Sequence, residues 1–99
     1  MLTEEKKLQK KIISYLEGLG AYVIKTITVS KNGVPDIICC FNGLFLAIEV
    51  KGSTNSATKL QEFNINQIKK AKGEAFCINN FFELVSIVEN MLKKDIFNK

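Results

Sequence analysis

Apolar residues recur along this chain with two different periods, and the switches between them mark its elements. Leu8, Ile12, Leu16 and Leu19 repeat at helical spacing. Thr3 stands where a helix N-cap belongs, with Glu4 and Glu5 at the positive end of the helix dipole, and Gly18 and Gly20 end the run. Ala21–Val29 is rich in β-branched residues and predicts a strand, followed by a loop at Ser30-Lys31-Asn32-Gly33. Asp36–Phe41 and Leu44–Lys51 predict two more strands, joined by Asn42-Gly43, the strongest short hairpin signal. Both faces of this hairpin are apolar. Ile38, Cys40, Phe45 and Ala47 lie on one and Ile37, Cys39, Leu46 and Ile48 on the other, so helices must cover both sides.

Gly52-Ser53-Thr54-Asn55-Ser56 is a polar loop and the expected mobile segment. A helix over Lys59–Lys72 stops at Gly73, and Glu74–Ile78 predicts a fourth strand. Asn79-Asn80 can cap a last helix carrying Phe81, Leu84, Val85, Val88 and Leu92. The order is helix, three strands, helix, strand, helix. It makes one α/β domain over residues 1–92, a central sheet flanked by helices, with a basic C-terminal tail at 93–99 that is expected to fray.

Charges inside such a hairpin need a reason. A two-residue turn at Asn42-Gly43 pairs Phe41 with Leu44, and the same register carries Asp36 directly across from Glu49. Cross-strand neighbours have Cβ atoms roughly 4.5–5.5 Å apart, and like charges there are destabilising. Lys51, two residues past Glu49, points to the same face. A bound cation would remove the repulsion, and paired carboxylates are what Mg²⁺ takes, its other positions filled by water and phosphate oxygens. The bland alternative is a pair of solvated strand-end carboxylates with a lysine salt bridge. Gln61 shares a helical stripe with Ile65 and Ile68, so the first turn of its helix aims it inward.

Composition narrows the chemistry. There is no histidine, which removes Ser-His and Cys-His nucleophilic schemes and the commonest general base. Cys39, Cys40 and Cys77 show no Cys-x-x-Cys spacing, so they read as small apolar strand residues rather than zinc ligands. The net charge is +4, and every one of the 14 basic residues is lysine. Lysine meets phosphate as a point charge, whereas arginine dominates bidentate reading of guanine. That balance fits a polyanion recognised by backbone and shape, though solubility alone also explains a lysine-rich surface. No apolar run reaches the ~18 residues of a membrane span. The start, Met1-Leu2-Thr3-Glu4-Glu5, is acidic and polar rather than a signal peptide. The expected location is the cytoplasm, of a bacterium or of a phage-infected host.

The stretch Pro35-Asp36…Glu49-Val50-Lys51 resembles the catalytic pattern of the PD-(D/E)XK nuclease superfamily. Within that superfamily, Lys25…Gly33-Val34-Pro35-Asp36-Ile37…Gly43…Ile48-Glu49-Val50-Lys51…Thr58-Lys59-Leu60-Gln61…Gly73 is similar to stand-alone VRR-NUC domains of phages and bacteria, over about Thr3 to Leu92. Lys72 departs from relatives that carry a glycine before Gly73.

The resemblance implies a restriction-endonuclease-like αβββαβ core and a Mg²⁺-dependent DNA endonuclease, with Mn²⁺ able to substitute. Asp36, Glu49 and the Val50 backbone carbonyl would hold the metal, with the Val50 side chain in the core. Lys51 would orient or help deprotonate the attacking water, or stabilise charge developing on phosphate. Gln61 would lie beside the centre. Glu5 could supply a further acid near the metal, with Glu4 competing for that role. Lys25 could contact DNA phosphate, and Gly33 would allow a backbone turn and close substrate approach. A homodimer acting on branched DNA such as Holliday junctions follows by the same analogy. The alternatives are a non-catalytic DNA-binding or assembly module that keeps the fold, and a nuclease subunit of a restriction or repair complex.

Overall fold

The computed structural model describes residues 2–53 and 55–97, the last four as backbone. Seven elements follow the predicted order: α1 Glu4–Gly18, β1 Tyr22–Lys25, β2 Ile37–Phe41, β3 Leu44–Val50, α2 Lys59–Lys70, β4 Glu74–Ile78 and α3 Phe81–Phe97. The four strands form one sheet in the order β1-β2-β3-β4. The first three are mutually antiparallel and β4 runs parallel to β3, so the sheet is mixed. A parallel pair needs a crossover, which α2 supplies.

The hairpin register is the expected one, from Phe41↔Leu44 to Ile37↔Ile48. Asn42 and Gly43 adopt φ of 53° and 77°, the left-handed pair that a type I′ turn requires. Predicted caps also form. Thr3 accepts from the Lys6 N–H at 3.1 Å, and Asn80 accepts from the Glu83 N–H at 2.8 Å.

One face of the sheet, carrying Ile37, Cys39, Leu46, Ile48 and Val50, packs against Ile12 and Leu16 of α1 and Leu84, Val88 and Met91 of α3. The opposite face meets α2, where Ile65 sits on Ala47 and Ala75. The two alanines are small enough to admit the helix close to the strands. β3 is thereby covered on both sides, and Leu46–Val50 is buried throughout.

Several expectations change. β1 ends at Lys25 rather than Val29, because its partner ends where Pro35 turns β2 away; the last bond is Thr26 N–H to the Asp36 carbonyl at 2.8 Å. Leu19 is the C-cap of α1 and lies exposed, outside the core. α2 stops at Lys70, since Lys72 takes φ +75°, a left-handed conformation that leaves the helix. α3 continues to Phe97, so the expected tail is helical over most of its length; Asn98 and Lys99 lie outside the described residues, as does Thr54 of the polar loop.

Coverage is also one-sided over half of the sheet. α2 lies over β3 and β4, and the ladder Tyr22–Cys40–Phe45 on that face stays open, with Tyr22 72% exposed. Cys40 is therefore a surface thiol rather than a core residue. Burial instead pushes the Cys39 thiol up to about 11, so it stays protonated and inert.

Lys72 carries a penalty that glycine would not. A left-handed residue with a side chain costs ~1–2 kcal/mol, set against the ~0.5–1 kcal/mol of extra chain entropy that glycine loses on folding. Lys72→Gly should therefore stabilise the protein by roughly 0.5–1 kcal/mol, seen as a rise of a few degrees in the thermal midpoint. An unchanged or lowered midpoint would show that the lysine side chain compensates locally.

Candidate active site

The site forms where β2 begins, β3 ends and α2 starts. Pro35 has no N–H and turns the chain away, so the β2–β3 ladder stops at Ile37↔Ile48. Continued two steps, the register would set the Pro35 carbonyl opposite Val50. That carbonyl instead accepts from the Thr26 hydroxyl at 2.7 Å. The Val50 N–H is left over, and Asp36 Oδ2 accepts from it at 3.0 Å. Asp36 thus leaves the ladder, and its side chain closes the gap in the sheet that Pro35 opens.

Glu49 sits on the α2 face of the central strand, 2% exposed. Gln61 Nε2 donates to Glu49 Oε2 at 3.2 Å, and Lys51 Nζ lies 3.5 Å from the same oxygen. Glu49 Oε1 is buried and has no partner. Burial raises the Glu49 carboxyl to about 7, helped by the adjacent negative charge of Asp36 and opposed by the positive charge of Lys51. Cys77, beside Glu49 in the β3–β4 register, has its thiol pushed up by burial first and by the charge of Glu49 second. A buried acid flanked by a second acid and left with one unsatisfied oxygen is a poor structural salt bridge, but it suits a divalent cation.

The predicted residues divide by position. Asp36, Glu49, Lys51 and Gln61 come together, and the Val50 side chain is core, fully buried among α1 and α3 residues. Lys25 is exposed at the end of β1 and registers with Ile37, on the face opposite Glu49. Gly33, at φ +77°, has its close approach to α2: a Cβ there would come within 2.7 Å of the Leu60 side chain. Glu5 is half-buried and Glu4 exposed in the first turn of α1. Among the described residues no group of three or more acids, cysteines or histidines forms around a cation position, so neither joins the pair.

Two side-chain roles escape the sequence reading. Thr58 forms a reciprocal capping box with Gln61: the Gln61 N–H donates to Thr58 Oγ1 at 3.2 Å, and the Thr58 N–H donates to Gln61 Oε1 at 2.9 Å. The Thr-x-x-Gln spacing before an apolar stripe carries that signal. Gln9 of α1 is buried with an unpartnered Oε1. It lies three residues before Ile12 on the inward stripe, but only its burial marks it.

The family model described as archaeal Holliday junction resolvase (Hjc) matches residues 4–89. No curated protein matches the chain. Among solved structures, one named "VRR_NUC domain" superposes with a TM-score of 0.79 at 23% identity, covering 89% of this chain and 97% of that one. Another, named "VRR_NUC domain protein", gives 0.72 at 18% identity, covering 94% and 91%. At these identities the likeness is one of fold alone.

The raised acid has a stability consequence in the metal-free protein. A carboxyl whose folded pKa lies above its ordinary value stabilises the fold while protonated, and that contribution is lost as pH rises through the folded value. For Glu49 the window runs from 4.5 to about 7. The metal-free thermal midpoint should fall across it, and Glu49→Gln should flatten the fall and melt higher than wild type near pH 8. Parallel pH profiles for the two proteins would show that Glu49 is ionised throughout.

Proposed function

The chain belongs to the archaeal Holliday junction resolvase family, and from that premise we propose that it is a divalent-metal-dependent endonuclease that hydrolyses DNA phosphodiester bonds at branched structures, four-way junctions above all. The observation that carries this reading is the buried, unpartnered Oε1 of Glu49, on a carboxyl that also feels the charge of Asp36. Asp36 and Glu49 would hold Mg²⁺, or Mn²⁺ in its place, each through the oxygen not already bonded within the protein, and the Val50 carbonyl would be a further donor. Bound there, the ion supplies charge neutralisation at phosphorus and a water acidified for attack.

The chain's own groups do the rest. Lys51 keeps its ammonium at the edge of the carboxylate pair, where it can orient the attacking water or counter charge building on phosphate. Gln61 takes up Glu49 Oε2 with its amide, which fixes the carboxylate plane. Exposed Lys31, in the loop before β2, and Lys59, which begins α2, stand at the same end of the sheet. They favour approach of a phosphate backbone without reading bases, in keeping with a net charge of +4 carried by lysines alone.

We further read the chain as a homodimer, since one centre cuts one strand and a four-way junction offers two equivalent strands. The open ladder Tyr22–Cys40–Phe45, with Ile24 beside it, is the apolar face available to a second copy. Tyr22→Glu should then yield a monomer by light scattering and abolish paired incision of a junction. A variant that stays dimeric and cuts in pairs would place the interface elsewhere.

The catalytic reading is tested with a synthetic four-way junction and linear duplex of the same sequence. Mg²⁺ or Mn²⁺ should support junction cleavage and EDTA should stop it. Asp36→Ala and Glu49→Ala should each abolish it with the fold intact by circular dichroism. Lys51→Ala should lower the single-turnover rate by ~10²-fold or more, while junction affinity changes little because many lysines share the phosphate contacts. Full cleavage in EDTA, or undiminished cleavage by the carboxylate variants, would overturn the assignment. Binding without any cleavage by wild type would favour a non-catalytic module.

A further inference from the structure

Gln61 belongs at once to two structures that are usually separate. Its backbone N–H and Oε1 complete the capping box with Thr58, and its Nε2 reaches across to Glu49. A glutamine amide has one acceptor oxygen and one donor nitrogen, so the two contacts are not independent. The Thr58 N–H can only donate, so the group facing it must be Oε1. Nε2 then has to point the other way, at Glu49. Turned over, the amide would set donor against donor at Thr58 and oxygen against oxygen at Glu49. The base of this arrangement is firm, because α2 is anchored one turn on by buried Ile65 against Ala47 and Ala75.

We propose that Thr58 is a positioning residue for the cation site: its backbone N–H sets the direction of the Gln61 amide, which occupies Glu49 Oε2 and leaves Oε1 as the oxygen that Glu49 presents to a divalent cation. This rests on the reading of Asp36 and Glu49 as a cation site. Residue choice within the capping box agrees with it. Glutamate serves that position of a capping box as well as glutamine does, but here it would lay a third carboxylate against Glu49. Glutamine satisfies the cap and the acid together. With Lys51 on the same side, Oε2 is fully engaged and Oε1 is the oxygen without a partner.

The test measures Mg²⁺ affinity by calorimetry on the folded full chain. Wild type should bind and Glu49→Gln should not; a wild type that fails to bind would overturn the cation site and this inference with it. Thr58→Pro removes the N–H while keeping a φ close to the observed −71°. Replacing Thr58 by its α-hydroxy acid, which turns that one amide into an ester, removes the N–H alone and serves if the proline variant does not fold. Either should weaken Mg²⁺ by ~10-fold, the scale for losing an outer-shell partner. Gln61→Met should weaken it as much, and adding the Thr58 change to Gln61→Met should cost nothing further. Thr58→Ala loses the capping hydroxyl but keeps the N–H. It should melt lower than wild type yet hold Mg²⁺ within about twofold, which a purely structural role for Thr58 would not separate. If the ester binds Mg²⁺ as wild type does, or weakens Gln61→Met further, Thr58 does not act through Gln61, and the cation site stands without it.

Discussion

The carboxylate of Glu49 is buried in the central strand of the sheet, and the organisation of this end of the molecule turns on that one charge. An effective penalty of several kcal/mol attends the burial of an ion after relaxation, in a domain whose whole stability is expected at ~5–15 kcal/mol. Lys51 and Gln61 offset the penalty at one oxygen only, and Asp36 adds to it. Glu49 is consequently a costly position in a well-packed core. Anything that binds the folded state there stabilises the fold by mass action. A divalent cation bound as proposed would relieve that penalty.

Local devices serve the site while solving problems of their own. Pro35 ends the β2–β3 ladder and orphans the Val50 N–H, and the side chain that satisfies it is Asp36. The N-terminus of α2 needs its free N–H groups capped, and the side chain that reaches back to do so is Gln61. In both cases a repair to secondary structure orients a side chain of the candidate site, so the carboxylate and the amide are held by backbone rather than by flexible neighbours. Lys51 differs. Its long stem is mostly buried, 14% exposed, and it meets the pair through its ammonium at Glu49 Oε2 rather than through a backbone repair.

The two faces of the sheet divide the work. The face under α1 and α3 is a dry core of large aliphatic side chains. The other carries the site at one end, α2 over β3 and β4, and bare apolar surface over β1 and β2. The candidate site and the open surface therefore share a side, and a second molecule bound on that surface would lie near the end of the sheet that carries Asp36 and Glu49.

Much of this was legible in the sequence because it depends on local rules. Asn42-Gly43 dictates a turn, the turn dictates a register, and the register sets Asp36 near Glu49 before any tertiary contact is known. Helical periodicity likewise fixed the inward stripe of Gln61, Ile65 and Ile68. Tertiary structure decided what depends on partners. β1 is short because β2 turns away, a fact about Pro35 rather than about residues 26–29. Cys40 and Phe45 have the same apolar pattern as Ile38 and Ala47, yet stay exposed because one helix of 12 residues cannot cover four strands. Above all, the burial of Glu49 and the single oxygen it leaves unpaired follow from α2 folding back over β3, and no spacing along the chain records how closely a helix will approach a strand.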